Sequence, residues 1–134
     1  MKSKLILLSL GVLVLSLYAF NHSYQDPWVV PKEYQDMKNP TDKTDKENMA
    51  IGKSLYSTHC KSCHGKEGYG DGPKAADQTG DLGDFSSPEF QAQSDGALFY
   101  KSTFGRDDMP EFTKKIPDDE DRWLIVNYMR TLKE

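Results

Sequence analysis

Apolar residues run from Leu5 to Phe20, interrupted only by Ser9, Gly11 and Ser16, with Lys2 and Lys4 in front of them. A charged n-region followed by an apolar h-region is the pattern of an export sequence. Residues 1–20 are therefore either a cleaved signal peptide or an uncleaved N-terminal anchor. The run is shorter than the ~18 apolar residues of a spanning helix, and Leu17-Tyr18-Ala19 is a poor small-x-small cleavage site. No cysteine stands near its end, which excludes attachment through a lipidated cysteine.

Residues 21–43 carry Pro27, Pro31 and Pro40 with scattered charge, so they read as a proline-containing linker or arm. Its apolar patch, Trp28-Val29-Val30, suits a docked arm or a free tether. From Thr44 the pattern becomes helical: Thr44 and Glu47 form a capping box, and Met49, Ile51, Gly52, Leu55 and Tyr56 recur at helical spacing up to His59-Cys60. Ser94 or Asp95 can cap a second helix through Ala97, Leu98, Phe99 and Tyr100, ended by Gly105. Pro117 and Asp118 open a third, with the acidic run to Asp121 favouring its macrodipole. There Leu124, Ile125, Tyr128 and Leu132 fall within an arc of ~100°, with Trp123 and Val126 on a second flank, so this helix needs two packing partners. No alternating run of β-branched and aromatic residues occurs, and residues 44–134 read as one all-α domain.

Composition narrows the function. With Lys2 and Lys4 set aside, 21 acidic residues face 15 basic ones, a net charge of −6 that argues against nucleic-acid binding. Two cysteines are too few for a disulfide scaffold. Eight of the ten glycines lie between Gly65 and Gly105, so the centre has little regular structure, and a small domain of this kind needs something more to fill its core.

The chemistry sits in Cys60-Lys61-Ser62-Cys63-His64. C-x-x-C-H is the attachment signature of c-type haem: two cysteines one helical turn apart add to the two vinyl groups, and the neighbouring histidine is held under the ring as the proximal iron ligand. Covalent haem also supplies the missing apolar filler. Three readings compete. A thioredoxin-like dithiol calls for a βαβ unit. Zinc calls for two ligands beyond Cys60 and Cys63, to be drawn from His22, His59, His64 or carboxylates. A plain disulfide leaves His64 and the glycine loop without a purpose.

On these residues the chain resembles the class I c-type cytochromes over roughly residues 45–132. Gly52 and Tyr56 stand eight and four residues before Cys60, where the family places the glycine and aromatic of its N-terminal helix. Residues Trp123 to Arg130 resemble the C-terminal helix that crosses that glycine. His64-Gly65, Gly70-Asp71-Gly72-Pro73, Asp84-Phe85, Asp95-Gly96 and Met109-Pro110 follow bacterial monohaem cytochromes and cytochrome c domains of respiratory complexes. The resemblance implies a fold of three main helices with glycine-rich loops wrapped around one covalent haem.

The sixth iron ligand must reach the opposite face of the ring, which His59 cannot do; His22 lies in or beside the leader. Met1 and Met37 lie outside the domain, and Met49 and Met129 suit helix packing. Met109, in the irregular stretch Gly105–Pro110, matches the family's Met-Pro and is the expected ligand. The family also uses a loop-proline carbonyl to orient the proximal histidine, here implied to be Pro73. Gly68, Gly70 and Gly72 are expected to follow the haem rim, and Leu82, Phe85, Leu98, Phe99 and Phe104 to line the pocket or simply pack the core. Trp28, Tyr100, Lys101 and Arg106 are candidate propionate partners or solvated surface.

The resemblance implies one-electron transfer by a His/Met-ligated haem in an exported respiratory chain, a carrier and not an enzyme. Two alternatives remain: a subunit permanently bound in a larger respiratory complex, or a catalytic or gas-sensing haem with a labile distal ligand. Thioether formation by the bacterial pathways takes place outside the cytoplasm, which implies the periplasm, with a membrane tether if the leader is retained. The net charge favours redox partners with positive docking patches.

Overall fold

The computed structural model of the protein describes residues 26–133. Residues 1–20, read above as an export segment, and His22 lie outside these residues. Among the described residues six α-helices follow in order: α1 (Lys32–Gln35), α2 (Lys46–His59), α3 (Lys61–His64), α4 (Pro88–Gln91), α5 (Asp95–Phe104) and α6 (Asp119–Met129). Short 3-10 turns lie at Ala75–Asp77 and Arg130–Leu132. Among the described residues, extended pairing is limited to an isolated bridge between Arg106 and Met109. The architecture is the all-α fold expected, with α2, α5 and α6 as its three main helices.

The centre is the crossing of α2 and α6. A Cβ on Gly52 would stand 2.2 Å from the Leu124 carbonyl oxygen, so the missing side chain is what lets the two backbones meet. The aromatic rings of Tyr56 and Tyr128 flank this contact at 5.1 Å between centroids. The second flank of α6 turns to α5, where Trp123 stacks on Phe99 at 4.1 Å. The two partners expected for α6 are thus α2 and α5. Leu98, Ile116, Leu124, Ile125 and Val126 are buried around these contacts. Each such aliphatic side chain contributes about 1.5–3 kcal/mol when taken from water.

Helix starts follow side-chain chemistry, with one correction. Ser94 Oγ accepts from the Ala97 N–H, and Asp118 Oδ1 accepts from the Glu120 N–H, as expected of N-caps. α2, however, is capped by Asp45, whose Oδ1 accepts from the Asn48 N–H at 2.9 Å. Thr44 is engaged one residue earlier, donating its N–H and its hydroxyl to Asp42 Oδ1 in an Asx turn, so the capping box does not form.

Of the two readings of the arm, the structure shows the docked one. Pro31 supplies a fixed φ at the entrance to α1, and Tyr34 packs its ring against Tyr100 and Phe104 of α5. Gly96 makes room for it: a Cβ there would lie 1.9 Å from the Tyr34 carbonyl oxygen. Val30 is buried, while Val29 stays exposed. Farther on, Asn39 donates to Asn127 Oδ1 of α6, and Asn127 donates in turn to Thr41 Oγ1.

Candidate functional site

The end of α2 delivers the attachment motif. Tyr56 donates its hydroxyl to the Gly65 carbonyl at 2.8 Å, tying the helix crossing to the first residue beyond the motif. Cys60 keeps its N–H bonded to the Tyr56 carbonyl, and its own carbonyl accepts from the Cys63 and His64 N–H groups. Cys60, Cys63 and His64 therefore share one turn of helix. Gly65, at φ 84°, turns the chain away in the left-handed region. A Cβ on Gly72 would lie 2.5 Å from the Ser62 carbonyl oxygen, so the following loop packs directly on the backbone of α3.

Both thiols are half-buried and free. Together with His64, Met109, Leu82, Phe85, Leu98 and Phe112, they line one open cleft of about 1140 Å³ counted out to its mouth. Burial and the neighbouring Cys63 push the Cys60 thiol up to about 12. Burial also lowers the His64 imidazole, against a weaker opposing pull from the Leu82 carbonyl. His64 Nδ1 stands 3.1 Å from that carbonyl oxygen, and since a carbonyl only accepts, Nδ1 carries the proton and Nε2 is left with a free lone pair. The ring lies on Phe85 at 4.6 Å between centroids.

The partner of Nδ1 corrects one expectation. Pro73 does not orient His64: it is exposed and does not border the cleft. The Gly72 and Lys74 N–H groups bond to the carbonyls of Cys63 and Ser62, which holds this stretch against the attachment turn. The chain returns to the imidazole only at Leu82, through a loop with no periodicity by which sequence could set its register.

Met109 ends a tight turn. The Arg106 N–H bonds to the Met109 carbonyl, and the Met109 N–H to that of Arg106, at 3.0 and 2.9 Å. Asp107 sits between them at φ 52°, a conformation aspartate tolerates better than most residues. The next residue, Asp108, reaches across to the loop before Leu82: its Oδ2 accepts from the Thr79 N–H at 2.7 Å and from the Thr79 hydroxyl at 2.6 Å. These two bonds hold the Asp108 carboxyl below the usual carboxylate range.

The remaining expectations divide. Leu82, Phe85 and Leu98 border the cleft, whereas Phe99 is committed to Trp123 and Phe104 to the arm. Trp28, Lys101 and Arg106 stand at the cleft, but Tyr100 packs against Tyr34. The Arg106 guanidinium lies 4.7 Å from the Trp28 ring centroid, and its Nη1 donates to the Asp26 carbonyl. His59 and Met129 also border the cleft, although the sequence pattern suggested no part for them there. Zinc gains no support: among the described residues no group of three or more His, Cys, Asp or Glu is placed to hold a metal ion. The donor set fits a covalent haem: two thiols on one helical turn, an imidazole with its outer nitrogen fixed, a thioether on the same apolar cleft, and a narrow helix approach beneath.

Comparison with known proteins agrees with this geometry. A family profile described as cytochrome c matches residues 49–133. A search of curated proteins returns no match. Among solved structures, a chain of the reducing HAO-like protein complex of Kuenenia stuttgartiensis is 29% identical at a TM-score of 0.61, over 87% of this chain and 54% of that one. The present chain thus spans about half the length of the solved chain it matches. It belongs to the cytochrome c family, whose domains bind haem c covalently and transfer electrons with it.

Proposed function

We propose that the protein is a one-electron carrier of an exported respiratory chain, with haem that would be held by thioether bonds from Cys60 and Cys63 and by His64 and Met109 as iron ligands. The observation that carries this reading is the convergence of those four residues on one apolar cleft, with His64 already committed through Nδ1. Bound haem supplies a one-electron iron couple, and a thioether ligand favours its reduced state. The chain's own contribution is to exclude water with Leu82, Phe85, Leu98 and Phe112 and to fix the imidazole tautomer. With both His64 and Met109 offered to it, the iron would have no position left for substrate, which favours a carrier over a catalyst.

The test is a visible spectrum of holoprotein made with haem-attachment machinery, before and after acid-acetone extraction. Colour should survive extraction, and imidazole or CO should bind slowly or weakly at neutral pH. Loss of colour, or rapid binding, overturns the covalent or the Met109 assignment respectively. The leader sequence supports a periplasmic location, and the net charge supports positively charged partner surfaces, with electron-transfer rates that fall as salt rises. The matched solved chain belongs to a multi-protein complex, which favours a second reading as a permanently bound subunit. Native-size measurement on membrane extracts separates that reading from a free carrier.

A further inference from the structure

We infer that Asp108 and Thr79 form a clasp that holds the Met109 turn against the cleft, making Asp108 a positioning residue for the sixth ligand. The inference rests on the reading of Met109 as that ligand. Asp108 precedes Met109 directly, and Thr79 stands three residues before Leu82, whose carbonyl holds His64. One carboxylate oxygen, accepting two bonds of 2.7 and 2.6 Å from a residue 29 positions away, therefore links the loop that orients the imidazole to the turn that carries the thioether. Hydrogen bonds to an ionised acceptor are the shorter and stronger kind. The turn behaves as one piece, because its ends are joined by the paired Arg106–Met109 backbone bonds. Displacing the sulfur requires the turn to swing out, and swinging out breaks the clasp.

This makes a thermodynamic prediction. An added iron ligand competes with Met109, so its apparent affinity is set by the fraction of molecules in which the thioether has left. Removing the clasp raises that fraction without touching the α2–α6 crossing. The experiment titrates ferric holoprotein with imidazole at neutral pH and follows loss of the weak long-wavelength sulfur-to-iron absorption band. Asp108→Ala should bind imidazole about tenfold more tightly than wild type. Thr79→Val should show a smaller gain, because its N–H remains, and the double variant should not exceed Asp108→Ala. Asp108→Asn keeps an oxygen acceptor but loses the charge, so its gain should fall between wild type and Asp108→Ala. The urea midpoint read from far-ultraviolet ellipticity should barely move in any of them.

Equal affinity in wild type and Asp108→Ala overturns the clasp, as does an additive double variant or an affinity gain that merely tracks global stability. Should Asp108→Ala not accumulate, Thr79→Val and Asp108→Asn still decide: tighter imidazole binding than wild type in either supports the clasp, and wild-type affinity in both overturns it. If instead wild type lacks the sulfur band and binds imidazole as Met109→Ala does, the ligand assignment itself is wrong and the clasp falls with it.

Discussion

The α2–α6 crossing and the loop-built cleft are held by different means. At the crossing, side-chain volume decides: the absence of a single Cβ at Gly52 sets the approach, and buried aromatic and aliphatic groups fill the space around it. In the cleft, backbone carbonyls and turn geometry decide: Leu82 holds His64, and Gly65, Asp107 and Gly105 redirect the chain at positive φ. A substitution at the crossing should therefore cost global stability, whereas one in the cleft should change ligation while leaving the helices intact.

The sharpest break is at the crossing. Gly52→Val presses new atoms onto the Leu124 backbone, which cannot rotate away, and should cost about 3 kcal/mol or more in urea unfolding. A variant of wild-type stability would show that the two helices can separate at little cost. Next comes Leu124→Ala, fully buried on the same contact, with an expected loss of about 2–5 kcal/mol in the same measurement.

Tyr56 belongs to both regions, and Tyr56→Phe removes only its bond to Gly65, for an expected loss of about 1 kcal/mol. Its pH dependence sharpens the point. Burial raises the folded-state phenol above the ordinary 10.0, so the unfolded chain ionises first as pH rises. Its stabilising contribution is complete below pH 10.0 and is lost progressively above it, and Tyr56→Phe should flatten that alkaline decline in a pH series of unfolding midpoints. An unchanged slope would assign the decline to other groups, Tyr128 first among them, since burial raises it too. The smallest effect is expected from Trp28→Ala at the cleft edge, about 0.5–1 kcal/mol through loss of its contact with Arg106, with thermal unfolding as the readout.

The same contrast explains what could be read from sequence. The helices and their crossing were legible because period, caps and one glycine act locally: Ser94, Gly105, Asp118 and Gly52 stand where expected. The start of α2 slipped by one residue because Asp42 competes for Thr44. C-x-x-C-H and Met-Pro brought Cys60, Cys63, His64 and Met109 to one cleft because each motif carries its own chemistry. Leu82 was missed in favour of Pro73 because the acceptor is a main-chain oxygen, to which the side chain bears no relation. The Thr79–Asp108 pair was missed because two short polar residues 29 positions apart leave no periodic trace.

The imidazole's dependence on a main-chain oxygen also has a consequence for mutational tolerance. Every amino acid offers that oxygen, so exchange of the leucine at position 82 for another residue of moderate size leaves the acceptor itself in the chain. A saturation library at this position should mostly keep the sulfur-to-iron absorption band, with failures confined to residues that force the main chain elsewhere. By contrast, inserting or deleting one residue between positions 74 and 82 shifts the register and should weaken that band while the covalent colour persists, although no ligand has been altered.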